Sequence, residues 1–227
     1  MTLPQVRLIR RNDTHRFIPS KYSDGGASVL AEIADDAGHL QDMFDLDHAT
    51  NDRLLGEDGL LPGIGIHELV FGVPYSRIVN AASCHAQPLG SRFNGPDRGA
   101  WYSGFELATA QAEVAFHKWI ELAEVGWTEE ELTYDDYLAD FSAEFHDLRG
   151  DGSFAEVLAP DSYVASQTLA EELLAAGSLG VIYPSVRRSK GTSLACFRPA
   201  LVMNVRKGRT YAFRWHGEPK PSISVVK

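Results

Sequence analysis

The spacing of apolar positions along the chain changes several times, and each change marks an element. From Ser23 to Leu55 the apolar residues Val29, Leu30, Ile33, Leu40, Phe44 and Leu54 recur among acidic ones at intervals that predict helix, with Gly38 as an interior break. The run Leu60 to Gly65, LLPGIG, reads as turn. Between His67 and Tyr102 the pattern shortens into HELVFGV, SRIVNAA, SRFN and GAWYSG, each predicted as strand. The clearest helical period comes next. Leu107, Val114, Phe116, Trp119, Ile120 and Leu122 fall on helical spacing over about Leu107 to Val125, and Gly126 suits the end of that helix.

Beyond it, ELTYDDYLADFSAEFHDLRG alternates irregularly and predicts one or two strands. Asp161 or Ser162 is placed to cap a helix over Tyr163 to Ala176, closed by Gly177. The C-terminal third, GVIYPSV, SLACFR, ALVMNVRK, RTYAFRWH and SISVVK, reads mostly as strand. Helices before and between groups of strands predict an α+β fold, and the strand-rich end argues against a doubly wound sheet. No repeat or long linker divides the chain, so residues 1–227 are expected to form a single mixed domain.

Composition narrows the function classes. Of 227 residues, 44% are hydrophobic and 23% charged, an ordinary globular balance with enough apolar surface for a real core. A net charge of −10, from 21 basic and 31 acidic residues, works against direct nucleic-acid binding, which needs clustered Lys and Arg. Cys84 and Cys196 are too few for a disulfide framework or a zinc ribbon, and read as small apolar residues in a reducing compartment. MTLPQVRLIRR lacks the apolar core of a signal peptide, and no run approaches the ~18 apolar residues of a membrane span. The expectation is a cytoplasmic protein without membrane or nucleic-acid partners.

Common nucleotide signatures, G-x-G-x-x-G after a strand and G-x-x-x-x-G-K-[ST], are absent. His67-Glu68 opens like a zinc-protease H-E-x-x-H, but Phe71 stands where the second histidine is required. The informative stretch is Gly90 to His117, where Arg92 lies ten residues before Tyr102 and Glu113 eleven after it. Taken singly, a surface ion pair, a core aromatic and a solvated helix residue account for the three. Two details favour chemistry. Glu113 falls beside Ala112, Phe116 and Ile120 on the helical wheel, where a carboxylate needs a partner. Gly90, Gly95 and Gly99 near Arg92 let the backbone approach a ligand closely.

This stretch resembles the RES domain of bacterial toxin–antitoxin toxins. The resemblance rests on Arg92-Phe93-Asn94, on Trp101-Tyr102-Ser103, on Thr109-Ala110-Gln111-Ala112-Glu113-Val114 with His117, and on Tyr183-Pro184-Ser185-Val186-Arg187. It spans about Ile66 to Phe213. It implies an ADP-ribosyltransferase-like fold, NAD⁺ as substrate, and a cognate antitoxin, commonly with a helix-turn-helix DNA-binding section. It also implies a further arginine near the start of the fold, for which Arg7, Arg10 and Arg77 are candidates. Residues 1–60, partly helical, would be an N-terminal elaboration.

Cleaving the nicotinamide–ribose bond develops positive charge at the anomeric carbon, which a carboxylate such as Glu113 can oppose. Tyr102 offers a flat face for nicotinamide or its ribose, Arg92 a planar fork for pyrophosphate, and Ser185 a hydrogen-bond donor. Arg98 and Arg187 are second-rank candidates for phosphate, each equally readable as a surface ion pair. Transfer of ADP-ribose to a cellular protein is the leading expectation. NAD⁺ glycohydrolysis or phosphorolysis is the alternative, and an inactive binding module a further one. Glu113, His117 and Glu121 form an i, i+4, i+8 column that suits a metal hydrolase, but more often such a column is a polar edge, and no metal is expected.

Overall fold

The computed structural model describes residues 3–23 and 35–226. Strands β1 (Val6–Pro19), β2 (Trp101–Gly104), β3 (Glu129–Asp147), β4 (Gly180–Pro184), β5 (Thr192–Cys196), β6 (Met203–His216) and β7 (Ser222–Val225) form one mixed seven-stranded sheet. Helices α1 (Ala37–Thr50), α2 (Asp52–Glu57), α3 (Ser76–Cys84), α4 (Leu107–Glu124) and α5 (Val164–Ala175) surround it. The fold is α+β.

β3 is the spine of the sheet. It runs antiparallel to β1, from Val6↔His146 to Pro19↔Tyr134, and antiparallel to β6, from Glu129↔His216 to Asp140↔Met203. At its C-terminal end it pairs with β4 in parallel through His146↔Val181. β4 pairs with β5, β5 with β2, and β2 meets β1 at His15↔Gly104, so the pairings close a circuit β1–β2–β5–β4–β3. The two-residue period of each strand divides the apolar residues between faces. Trp101, Ile182, Leu194 and Cys196 join Tyr137, Phe141 and Phe145 of β3 in one core, which α3 covers with Ile78 and Val79. Their strand neighbours Val181, Tyr183, Ala195 and Phe197 face the other way, against Leu169 and Leu173 of α5. α4 lays Ala110, Ala115 and Leu122 over Phe17, Tyr134, Phe213 and Trp215.

Helix ends follow local chemistry. Gly126, at φ +68°, ends α4 in a Schellman motif: its N–H bonds to Ala123 O, and that of Trp127 to Leu122 O. Gly177, at φ +77°, ends α5 in the same way through Leu174 O and Leu173 O. The start of α5 differs from expectation. Its N-cap is Tyr163, which makes no side-chain capping bond, and Ser162 Oγ is 3.4 Å from Val164 N. Asp161 does not cap.

Other expectations are corrected. Within the described residues, the helical pattern over Ser23 to Leu55 is realised as α1 and α2, interrupted at Asn51 and not at Gly38, which lies inside α1. Asn51 breaks the run because its side chain accepts from Arg53 N–H and caps α2. Val29, Leu30 and Ile33 fall outside the described residues. SRIVNAA is helix α3, because Ile78, Val79 and Ala82 share one buried helical face. Buried Asn80 fixes that helix, accepting from Val70 N–H and donating to Val70 O and Glu57 Oε1. HELVFGV contains only a 3-10 turn at Ile66–Glu68, and SRFN closes a turn through the single bridge Ser91↔Asn94. ALVMNVRK and RTYAFRWH merge into the single strand β6, and ELTYDDYLADFSAEFHD into β3. β1 escaped the sequence pattern altogether.

Candidate active site

A cleft of about 1200 Å³ opens between α4, the junction of β1 with β2, the turn at Gly90–Arg92, and Tyr163 at the start of α5. β2, β4 and β5 contribute Tyr102, Tyr183 and Ser193 to its wall. Glu113 enters from α4, with Val114 and His117 beside it.

Glu113 has the partner that its position demands. Ser185, just after β4, donates from Oγ to Glu113 Oε1 at 2.7 Å. The same oxygen accepts from the backbone N–H groups of Arg187 and Arg188, at 3.2 and 3.1 Å, so Ser185 also folds the turn that carries it. The hydroxyl proton expected for a ligand is therefore engaged by Glu113. Burial pushes the Glu113 carboxyl above its ordinary value, opposed by the Ser185 hydrogen bond and the charges of Arg187 and Arg92. Burial and the same two arginines hold the His117 imidazole below its ordinary value.

The turn carrying Ser185 is clasped to the start of α4. Glu106 Oε2 accepts from Thr109 Oγ1 at 2.5 Å and from Thr192 N–H at 3.2 Å. Arg188 donates to Thr109 Oγ1 at 3.2 Å and lies 3.6 Å from Glu106. Gly191 is required at this contact, since a Cβ there would stand 2.6 Å from Thr109 Oγ1.

Arg92 is 6% exposed and lies over the Tyr163 ring at 4.7 Å. Its Nη1 donates to Val157 O and Ala159 O at 3.3 and 2.8 Å, so this arginine also clamps the segment before α5. Tyr102 is less free than a stacking platform would be. Its hydroxyl accepts from Phe93 N–H and donates to Asn94 Oδ1, both at 2.8 Å, and burial pushes the phenol pKa up. Arg187 donates to Pro160 O at 2.7 Å and lies 3.3 Å over the Phe116 ring.

Arg92, Tyr102 and Glu113 thus line the cleft, Ser185 and Arg187 join them through Glu113, and Arg98 does not. Arg98 is bidentate to Glu68 at 3.0 and 2.9 Å and donates to Phe197 O at 2.6 Å. Although burial opposes it, hydrogen bonds from Arg98, Gly65 and Arg198 hold the Glu68 carboxyl down at about 2. Arg7 is exposed and sits 3.8 Å from Asp147, while Arg10 and Arg77 are exposed and line no part of the cleft. Glu121 pairs with Lys118 at 2.9 Å, and among the described residues no three His, Cys, Asp or Glu side chains gather as metal ligands.

Sequence reasoning missed the contribution of β1. Arg16 lines the cleft, donates to Tyr102 O at 3.1 Å and lies 5.0 Å over the Trp101 ring. Its Nε is buried without a partner, and burial lowers its pKa to about 10. His15 also lines the cleft, with Nδ1 2.9 Å from Asp136 Oδ2. Tyr163 and Tyr183 also line the cleft, and sequence reasoning gave neither a role there. The available signal was Thr14-His15-Arg16-Phe17, polar side chains set between residues that prove buried.

A family model for the RES domain matches residues 70–216. The chain belongs to the RES-domain family. The match takes in Arg92, Tyr102, Glu113 and Ser185, whereas β1 precedes it. Among solved structures, this RES-domain chain is similar to the M. tuberculosis MbcT–MbcA toxin–antitoxin complex, at 11% identity and a TM-score of 0.48, over 89% of this chain and 85% of that one. No curated protein matches it.

Proposed function

We propose that this RES-domain protein is an NAD⁺-consuming toxin that breaks the nicotinamide–ribose bond and passes ADP-ribose to an acceptor. The observation that carries the reading is the pairing of opposite electrostatics in one cleft. Glu113, a half-buried carboxylate held by Ser185, shares that space with Arg16, a half-buried guanidinium that has no carboxylate partner among the described residues. NAD⁺ is complementary to both, with an anionic pyrophosphate and a ribose centre that turns cationic as the bond breaks. Glu113 opposes that developing charge, so its interaction strengthens toward the transition state. Arg16 takes the place of the further N-terminal arginine that the family implies, and Arg92 adds positive charge beside it. Because β1 supplies Arg16, we also propose that residues 1–227 act as one domain, with part of the N-terminal section built into the site.

Acceptor chemistry separates two versions of this reading. A protein side chain makes the protein an ADP-ribosyltransferase, and water or phosphate makes it an NAD⁺ glycohydrolase or phosphorylase. The family resemblance further implies a cognate antitoxin with a helix-turn-helix section, which would leave operator binding to that partner. The test is nicotinamide release from NAD⁺ by the wild type and by Glu113→Gln, with a cell extract probed for labelled protein. Release by wild type and its loss in Glu113→Gln support the reading. No release by folded wild type in the presence or absence of extract leaves only the binding-module alternative, and activity abolished by chelator would point to a metal hydrolase.

A further inference from the structure

We propose that His15, oriented by Asp136, is the general base that activates water as the acceptor in this cleft. The inference rests on the NAD⁺-cleaving reading and names the acceptor for it. His15 is 18% exposed at the side chain, and its Nδ1 lies 2.9 Å from Oδ2 of Asp136, which is 5% exposed. Asp136 sits on β3 with its other oxygen, Oδ1, buried and unpartnered. When Nδ1 donates to this carboxylate, Nε2 is the ring nitrogen left to take a proton. Among the described residues Nε2 has no protein partner. A histidine that lines a cleft and is held by a carboxylate through one ring nitrogen has the arrangement that a general base requires.

The fold places this group and Glu113 in the same cleft. His15 pairs across the sheet with Gly104, and a Cβ at Gly104 would stand 2.7 Å from Ala110 N, so α4 rests directly on Gly104. Glu113 lies one turn further along α4, and His15, Gly104, Ala110 and Glu113 all line the one cleft. The step balances as written. The bond from C1′ to nicotinamide breaks with its electron pair leaving on nicotinamide, which becomes neutral. Water attacks C1′ and gives one proton to His15 Nε2, which later releases it to solvent. The products are ADP-ribose, nicotinamide and a proton. His15 is then a catalytic residue and Asp136 a positioning residue.

The test uses His15→Asn, whose side-chain amide can still donate to Asp136 and so keeps the sheet contact, with His15→Ala as a second variant. Steady-state nicotinamide release is measured with water as the acceptor and again with added azide, a nucleophile that has no proton to remove. We expect release in water to fall at least about a hundredfold with KM for NAD⁺ little changed. Azide should restore it in the variants, with ADP-ribosyl azide as product, and Asp136→Asn should show a smaller loss. A folded His15→Asn protein that releases nicotinamide at the wild-type rate overturns the inference, as does a loss that azide leaves unrepaired in both variants. Absence of release by the wild type overturns the NAD⁺ reading itself, and this inference with it.

Discussion

Single side chains in the cleft do two jobs, and substitutions should separate them. Sequence alone predicts Arg92 as a planar fork for pyrophosphate. In the structure it is buried and clamps two carbonyl oxygens before α5. Arg92→Ala should therefore lose roughly 2–3 kcal/mol of stability, because both acceptors give up a charged donor. Denaturant unfolding would show it, and unchanged stability would contradict the clamp. Glu113 behaves in the opposite sense. Burial raises its folded carboxyl above the unfolded value, so the native state holds that proton more tightly. Its contribution to stability then falls as pH rises through the ordinary carboxylate range toward the folded value. Glu113→Gln removes this penalty, so at neutral pH the variant should melt no lower than wild type, while nicotinamide release drops by orders of magnitude. A variant with wild-type turnover would end the catalytic role of Glu113.

Among the elements, the link between the α4 start and the turn after β4 governs the position of Ser185. Glu106, Thr109, Arg188 and Thr192 form that link, and none of them is placed at the reacting atoms. Arg188→Gln should leave α4 folded but loosen the turn, lowering kcat about tenfold, the equivalent of ~1.4 kcal/mol, with KM little affected. A change confined to KM would show that Arg188 meets substrate directly. Elements of this kind differ in how far sequence reveals them. α4 and α5 were legible because each buries one face and ends at a glycine that the left-handed position favours. α3 was hidden by its length: a stretch of nine residues is too short for periodicity alone to tell helix from strand. β1 was hidden for another reason. Val6 and Leu8 are exposed, and the strand exists because β3 pairs with it along its length.

For the whole molecule, carboxylates set the response to acid. Glu68 joins the loop before α3 to Arg98 and Arg198, and its folded carboxyl is held at about 2 against an ordinary value of 4.5. Asp140 and Asp147 are shifted in the same direction by Asn204 and Arg206, and by Arg149 and Arg7, despite the opposing effect of burial. A depressed folded value contributes stability that is complete above the unfolded pKa and is lost as pH falls through the folded one. Wild type should accordingly lose stability between about pH 5 and about pH 2. Glu68→Gln should be the less stable protein at neutral pH, with the gap closing over that window. A constant gap in pH-dependent unfolding would show that Glu68 acts through packing and not through its charge.

The sequence by itself determined the α+β class, the two glycine-terminated helices and the strand-rich end, and it carried the family resemblance at Arg92, Tyr102, Glu113 and Ser185. These follow from period, local backbone preference and residue order, all of which are properties of neighbours along the chain. Tertiary structure decided the rest. It put Arg98 on Glu68 and away from the cleft, bound Ser185 to Glu113, and brought His15 and Arg16 to α4 from a strand about a hundred residues away. Such partners are chosen by long-range pairing, here of β1 with β3 and β2, and that pairing leaves no periodic trace in a polar strand.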